Sequence, residues 1–398
     1  MAVLNMEQTQ KKPRSAVFVA VTFLFWSAMY TYVPTMTPYL NNIGISFSMI
    51  GLIGGSYGFS QMLLRVPLGL ISDRIGRRKI FIVIGLMIGA ASSLGMYLTH
   101  NAFLILLFRF MAGVSASVWV IFTVLYSSYF DKDKLASRIS YLSMANNFGV
   151  MTAKLIGSAL AERYGHEISF LLGAAMGLLG LVLSLFITEN VPVVTERPTI
   201  RSLLGVAKDR NLIAMSTLAV FSQMLLFATT NTFTPEAAVR LGADSMQLGI
   251  LSTLASVPAI LSAMICGKIF AKRVNFRNLV AFSFVLEALG TVMVPLVGSV
   301  FMVYVAVIIA GFGFGLCMTT LLSFCTLTVD EGRRSVAMGF YQAIYGLGMF
   351  IGPVFIGAFV DFLGLNAGFY ISAGVALVAL VLTFVLIRRP ADLKREKA

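Results

Sequence analysis

The sequence predicts an all-α membrane protein in which twelve transmembrane helices form two pseudo-symmetric six-helix bundles. Three observations predict it. Of the 398 residues 58% are hydrophobic and 12% charged, with a mean hydropathy of +0.88, whereas soluble chains carry about twice that share of charge. Apolar segments long enough to cross a bilayer occur twelve times. Landmarks in the first half return in the second at a fixed offset, the mark of an internally repeated fold.

The segments run 16–40, 48–72, 80–98, 102–130, 135–161 and 168–188, then 212–235, 245–271, 279–295, 300–329, 335–361 and 368–387. Residues 1–190 therefore form an N-terminal bundle and 211–398 a C-terminal bundle, joined by a polar linker, 191–210, around Pro192 and Pro198. TPYLNNIGISFSMIG aligns with TPEAAVRLGADSMQLG: Pro38 pairs with Pro235 at an offset of 197, and Gly44 with Gly242, Gly51 with Gly249 and Gly69 with Gly267 at 198.

A net charge of +13 would suggest a nucleic-acid partner in a soluble chain. The positions of the 30 Lys and Arg exclude that reading. All but five lie in loops, tails or segment ends on the side of the turn between segments 2 and 3; Arg163 and Arg240 fall on the other side, and Arg65, Arg109 and Lys154 inside segments. By the positive-inside rule the turn and both termini face the cytoplasm, as in a multi-pass protein of the plasma (inner) membrane. The start, MAVLNMEQTQKKPRS, lacks the cleavage pattern of a signal peptide.

Enzyme chemistry is not indicated. His100 and His166 sit at segment edges without metal-ligand spacing, and Cys266, Cys317 and Cys325 lie in apolar segments with no C-x-x-C. No Walker loop is present. The expectation is therefore no catalytic residue, no metal and no cofactor, with a small-molecule substrate, protons and the lipid bilayer as partners of a monomer.

The turn itself reads GLISDRIGRR from Gly69 to Arg78, that is, G-x-x-x-D-R-x-G-R-R. It resembles the signature loop between helices 2 and 3 of the major facilitator superfamily. Arg109 and Gly113, in R-F-M-A-G, resemble the family's R-x-x-x-G motif, whose arginine is associated with proton coupling. Pro34 and Pro38 in segment 1, and Gly348, Gly352, Pro353 and Gly357 in segment 11, resemble the twelve-helix drug/proton antiporter branch. Segment 5 departs from that branch, because Lys154 stands where its motif has proline. The resemblance implies a conformational latch made by Gly69, Asp73, Arg74, Gly76, Arg77 and Arg78. Asp73 is expected at the N-terminus of helix 11 near Ser335 when the cytoplasmic side closes, with Asp131 meeting Arg74 or Arg77.

Ionisable groups inside a membrane are costly, so those that occur there point to function. Arg109 lies eight residues past Asn101 and Lys154 eight before Glu162, so each sits about 12 Å below the same surface. Ser143, Asn147 and Lys154 share one helical face, a polar stripe expected to face a cavity. Arg65 is expected to snorkel to the interface. Glu287 is the acid placed in mid-segment, a buried carboxyl or a proton carrier. Trp26 with Tyr30, Gln223 with Thr230, and Tyr341 with Tyr345 share helical faces. The substrate-binding candidates are Tyr30, Arg109, Asn147, Lys154, Gln223 and Tyr341, and the coupling candidates Arg109, Lys154 and Glu287.

The resulting reading is a secondary transporter that moves a small organic solute by alternating access, coupled to protons. Basic deep charges in the first bundle favour an anionic or carboxylate-bearing solute. The alternatives are a broad-specificity drug or metabolite proton antiporter that exports its substrates, and a lipid-type flippase on the same fold.

Overall fold

A computed structural model describes residues 15–130, 132–189, 209–265, 275–329 and 334–387. The helices are α1 Ser15–Asn42, α2 Phe47–Ile75, α3 Arg78–Tyr97, α4 Ala102–Ser127, α5 Lys132–Tyr164 and α6 Ile168–Ser184. In the second half they are α7 Arg210–Arg240, α8 Ser245–Ile265, α9 Phe276–Met293, α10 Val300–Thr328, α11 Arg334–Leu363 and α12 Leu365–Leu386. Among the described residues, nine helices are long and apolar enough to cross a membrane, and α6 is a shorter apolar helix. The other two, α2 and α5, are 29 and 33 residues long but carry more polar residues. Both lie along the seam between the bundles.

Starts and turns follow from local chemistry. Asn101 accepts from the Phe103 and Leu104 amides, and Asp209 from those of Asn211 and Leu212, so α4 and α7 begin with side-chain caps. Gly44 and Gly242, with φ of 82° and 90°, make the turns before α2 and α8, and Gly165 and Gly364, at 91° and 84°, those after α5 and α11. These left-handed positions repeat at offsets of 198 and 199, so the turn geometry follows the internal repeat.

α1 and α7 also break alike. α1 is interrupted between Tyr30 and Val33, beside Pro34, which lacks an amide hydrogen. α7 passes through a π-helical stretch, Leu226–Phe233, and resumes at Thr234, beside Pro235. A π stretch presents an extra residue to one face and is frequent at functional sites.

The signature turn is shorter than its sequence suggested. Helix α2 continues through Asp73 and Arg74 to Ile75, because nothing after Gly69 breaks it, and Gly76 (φ 72°) ends it with its amide on the Ser72 carbonyl at 2.9 Å. Asp73 pairs with Arg78 at 2.7 Å, while Arg74 and Arg77 are exposed. Glu189 accepts the amides of Arg78 and Lys79, capping α3. Asp131, the linker from 190 to 208, Cys266 and the tail from 388 lie outside the described residues.

Each bundle has its own core. Phe18, Phe25, Phe122 and Tyr126 pack in the first; Leu218, Phe284, Cys317 and Tyr341 pack in the second, with Cys325 also buried. The bundles meet along two seams, α2 with α11 and α5 with α8. Both need glycine: a Cβ on Gly51 would fall 2.1 Å from the Pro353 oxygen, and one on Gly249 2.6 Å from Ser158 Cβ. Arg65 corrects the snorkelling expectation. It is 7% exposed and reaches across the first seam, donating to Gln342 Oε1 at 3.2 Å and the Tyr345 hydroxyl at 3.3 Å as well as to Gln61. Acceptors on the facing helix outweigh the distant interface.

Candidate substrate site between the bundles

A cavity of about 970 Å³ lies between α1, α5, α7, α8 and α10 at the bundle interface, within the size range of small-molecule sites. Its wall includes Trp26 and Tyr30 of α1, the α5 face from Ile139 to Lys154, and Thr230 and Asn231 of the π stretch. From α8 it takes the face from Ala255 to Met264, and from α10 Phe314 and Met318. It extends toward the end that carries the Asp73 turn, here the loop end; at the far end the bundles are in contact.

The predicted α5 stripe faces this space, with Ser143, Asn147 and Lys154 all on its wall. Lys154 is 4% exposed and is the charged residue of that wall. Its ammonium crosses the second seam, donating to the Ser252 carbonyl at 3.1 Å and to Ser256 Oγ at 3.2 Å, and lies 5.7 Å from the centroid of the Tyr30 ring. Neutral acceptors and a ring face hold this cation without neutralising it.

Arg109 is also buried, at 5% exposure, but stands behind the wall. Its guanidinium stacks 4.4 Å from the Tyr57 ring centroid and donates to the Tyr32 hydroxyl at 3.0 Å. Gly113, one turn on, makes this contact possible: a Cβ there would lie 2.3 Å from the Tyr57 carbonyl, so only glycine lets α4 approach α2 so closely. Tyr30 and Tyr57 interact through their hydroxyls. Two rings thus connect Arg109 to Lys154. Among the described residues no ion pair reaches Arg65, Arg109 or Lys154; the pairs present are Asp73–Arg78, Glu236–Arg240 and His100–Glu167.

The second bundle's candidates are less close to the cavity. Gln223 is buried outside its wall. Tyr341 is buried too, its hydroxyl 3.9 Å from the sulfur of Met318, a wall residue, with the Tyr345 ring edge-on at 5.5 Å. Glu287, 3% exposed, accepts from Ser222 Oγ at 2.8 Å inside the second core, away from Lys154's hydrogen-bond partners.

Sequence reasoning missed Ser252 and Ser256, whose spacing of four puts both on the α8 face opposite Lys154, and Tyr32 and Tyr57, which hold Arg109. It also passed over the methionines of the wall, Met144, Met151, Met264 and Met318. Their unbranched, polarisable side chains make a deformable apolar lining beside the cation.

Twelve helices in two repeated bundles, nine of them among the described residues long and apolar enough to cross a membrane, with broken helices around a central cavity, define a secondary transporter rather than an enzyme. The profile of the Major Facilitator Superfamily matches residues 18–236 and 216–398, and the chain belongs to that family. It is similar to the uncharacterized MFS-type transporter MJ1560 of Methanocaldococcus jannaschii, 24% identical over 388 residues covering 92% of this chain and 98% of the relative. It is similar also to the quinolone resistance protein NorA of Staphylococcus aureus, 22% identical over 378 residues covering 94% and 96%. Among solved structures, a bacterial homolog of the human lysosomal transporter Spinster, inward-facing and occupied, superposes with a TM-score of 0.81 at 16% identity, covering 94% of this chain and 97% of that one. The nucleoside transporter NupG superposes at 0.77 and 16%, covering 94% and 98%.

Proposed function

We propose that this protein is a proton-coupled transporter of a small organic anion, one carrying a carboxylate or similar group on an apolar body. Lys154 carries the proposal: it is a buried cation on the cavity wall whose partners are neutral acceptors and a tyrosine ring. An ammonium in that setting gains from an anion in the cavity far more than it would in water. Arg109, linked through Tyr57 and Tyr30, adds a fixed positive field and cannot itself release a proton at ordinary pH. Lys154 is the titrating member, and substrate binding raises its hold on a proton, so substrate and proton bind together. Glu287 is a second carrier, which would allow exchange.

The two bundles, 1–190 and 211–398, rock about this site while the linker 191–210 tethers them. With the base-rich loop end in the cytoplasm of a plasma membrane, the cavity opens inward, and the Asp73 turn is the latch that re-forms when that end closes.

A broad-specificity exporter is the second reading, favoured by the methionine and aromatic lining and by the likeness to NorA. A thermal-shift screen of organic anions and cations on the purified protein separates the two, because a ligand that binds the native state raises its melting temperature. Anions alone are expected to stabilise the wild type, with no shift in Lys154→Ala. Stabilisation by cations of varied structure would favour the exporter.

A further inference from the structure

The far end of the molecule is closed by two carboxylates in repeat-related positions. Asp361, at the end of α11, accepts the backbone amides of Phe47 and Ser48 at 2.8 Å each, and the Ser48 hydroxyl. Glu162, at the end of α5, accepts the Ser245 amide at 2.7 Å. Phe47 and Ser245 open α2 and α8 and lie 198 residues apart; Glu162 and Asp361 lie 199 apart. Each carboxylate comes from one bundle and each amide from the other.

We propose that Asp361 and Glu162 are the gate residues of the far end, paired caps that set how often that end opens during transport. What sets these two carboxylates apart is which amides they take. α2 satisfies its third amide locally, Ser46 Oγ accepting from Met49 at 3.4 Å. α8 does the same with a reciprocal box, Asp244 accepting from the Gln247 amide at 2.7 Å and Gln247 Oε1 from the Asp244 amide at 3.0 Å. Those caps lie within one bundle and persist whatever the bundles do. The first amides, at the positive end of the helix dipole, are left to the opposite bundle's carboxylate.

Closing this end therefore creates both cross-bundle caps and opening it removes both, replaced by water. Only contacts that differ between the two states shift their balance. A third cross-bundle contact, Asn41 Nδ2 to Glu236 Oε1 at 2.9 Å, lies at the same end. The Asp73 turn is at the loop end, so these caps are separate contacts from the latch and favour the opposite state.

The test places spin labels at Leu98→Cys and Leu296→Cys, one on each bundle and 71% and 67% exposed, with the native cysteines replaced by alanine. Distances are measured by pulsed EPR in lipid nanodiscs, and transport and melting temperature are followed in parallel. The short separation should dominate with both carboxylates intact. Loss of a side-chain cap corresponds to about a two- to thirtyfold change in population, so Asp361→Asn and Glu162→Gln should each raise the long-separation fraction by that order, and together further. Asp361→Glu should keep the original distribution. Ser245→Pro removes the capped amide at a position where proline suits the helix, and should reproduce Glu162→Gln. Unchanged distances in the double variant, or a lower melting temperature as the sole effect, would overturn the proposal.

Discussion

The ammonium of Lys154 on α5 lies 3.2 Å from Ser256 Oγ on α8, a hydrogen bond that crosses the seam between the two bundles. The residue proposed to hold substrate is therefore also a contact that must break or re-form as the bundles move. Binding and movement meet at one side chain.

Lys154→Ala is expected to leave the fold intact while abolishing or uncoupling transport, since it deletes a cation held only by neutral groups. Lys154→Arg should still bind substrate but respond poorly to pH, because a guanidinium does not titrate in the accessible range. Uptake rates across a pH series in proteoliposomes give both answers. Wild-type rate and pH dependence in Lys154→Ala would make the lysine structural.

Ser256→Ala removes the hydroxyl partner and leaves the Ser252 carbonyl, so a small effect is expected, about 0.5–1.5 kcal/mol on substrate affinity or on the closed seam. Isothermal titration with the best anion from the screen measures it. A loss equal to that of Lys154→Ala would mean the hydroxyl, not the charge, dominates.

At Gly51 the prediction is steric. A side chain there meets the backbone oxygen of Pro353 at 2.1 Å, which cannot yield as a flexible side chain would. Gly51→Val should hold the far end open and stop turnover, read as far-side labelling of a cysteine at Tyr30. Labelling from the loop side alone would contradict it.

The latch prediction concerns Asp73, paired here with Arg78. On closure of the loop end it should exchange that partner for the N-terminus of α11, a contact worth about 0.3–1 kcal/mol, enough to bias a switch without locking it. Asp73→Asn should slow cycling more than it lowers the melting temperature. Normal turnover in that variant would count against the latch.

Much of this was legible before the structure. Twelve segments, the offset of 198 and the stripe Ser143–Asn147–Lys154 follow from hydropathy and helical period, which depend on local sequence. The partners of the buried cations did not, because Ser252 and Ser256 lie about a hundred residues from Lys154 and Tyr57 about fifty from Arg109, and neither contact has a local pattern. Arg65 was misjudged for the same reason: Gln342 and Tyr345, which draw it inward, sit on α11. The length of α2 beyond Gly69 was missed because a run of charges was read as a turn, although charged residues do not end a helix and Gly76 does. Glu162 and Asp361 were within reach, since their separation repeats the offset of the glycines.

In the proposed cycle a buried cation at the bundle seam, Lys154, carries an organic anion with a proton. The most direct measurement is uptake into proteoliposomes of a pair of labelled aromatic solutes, alike except that one bears a carboxylate and the other an amine, with and without an imposed proton gradient, for wild type and Lys154→Ala. Gradient-dependent uptake of the carboxylate by the wild type, little of the amine, and loss of the carboxylate signal in the variant are expected. Equal transport of both solutes, or carboxylate uptake that survives in Lys154→Ala, would contradict it.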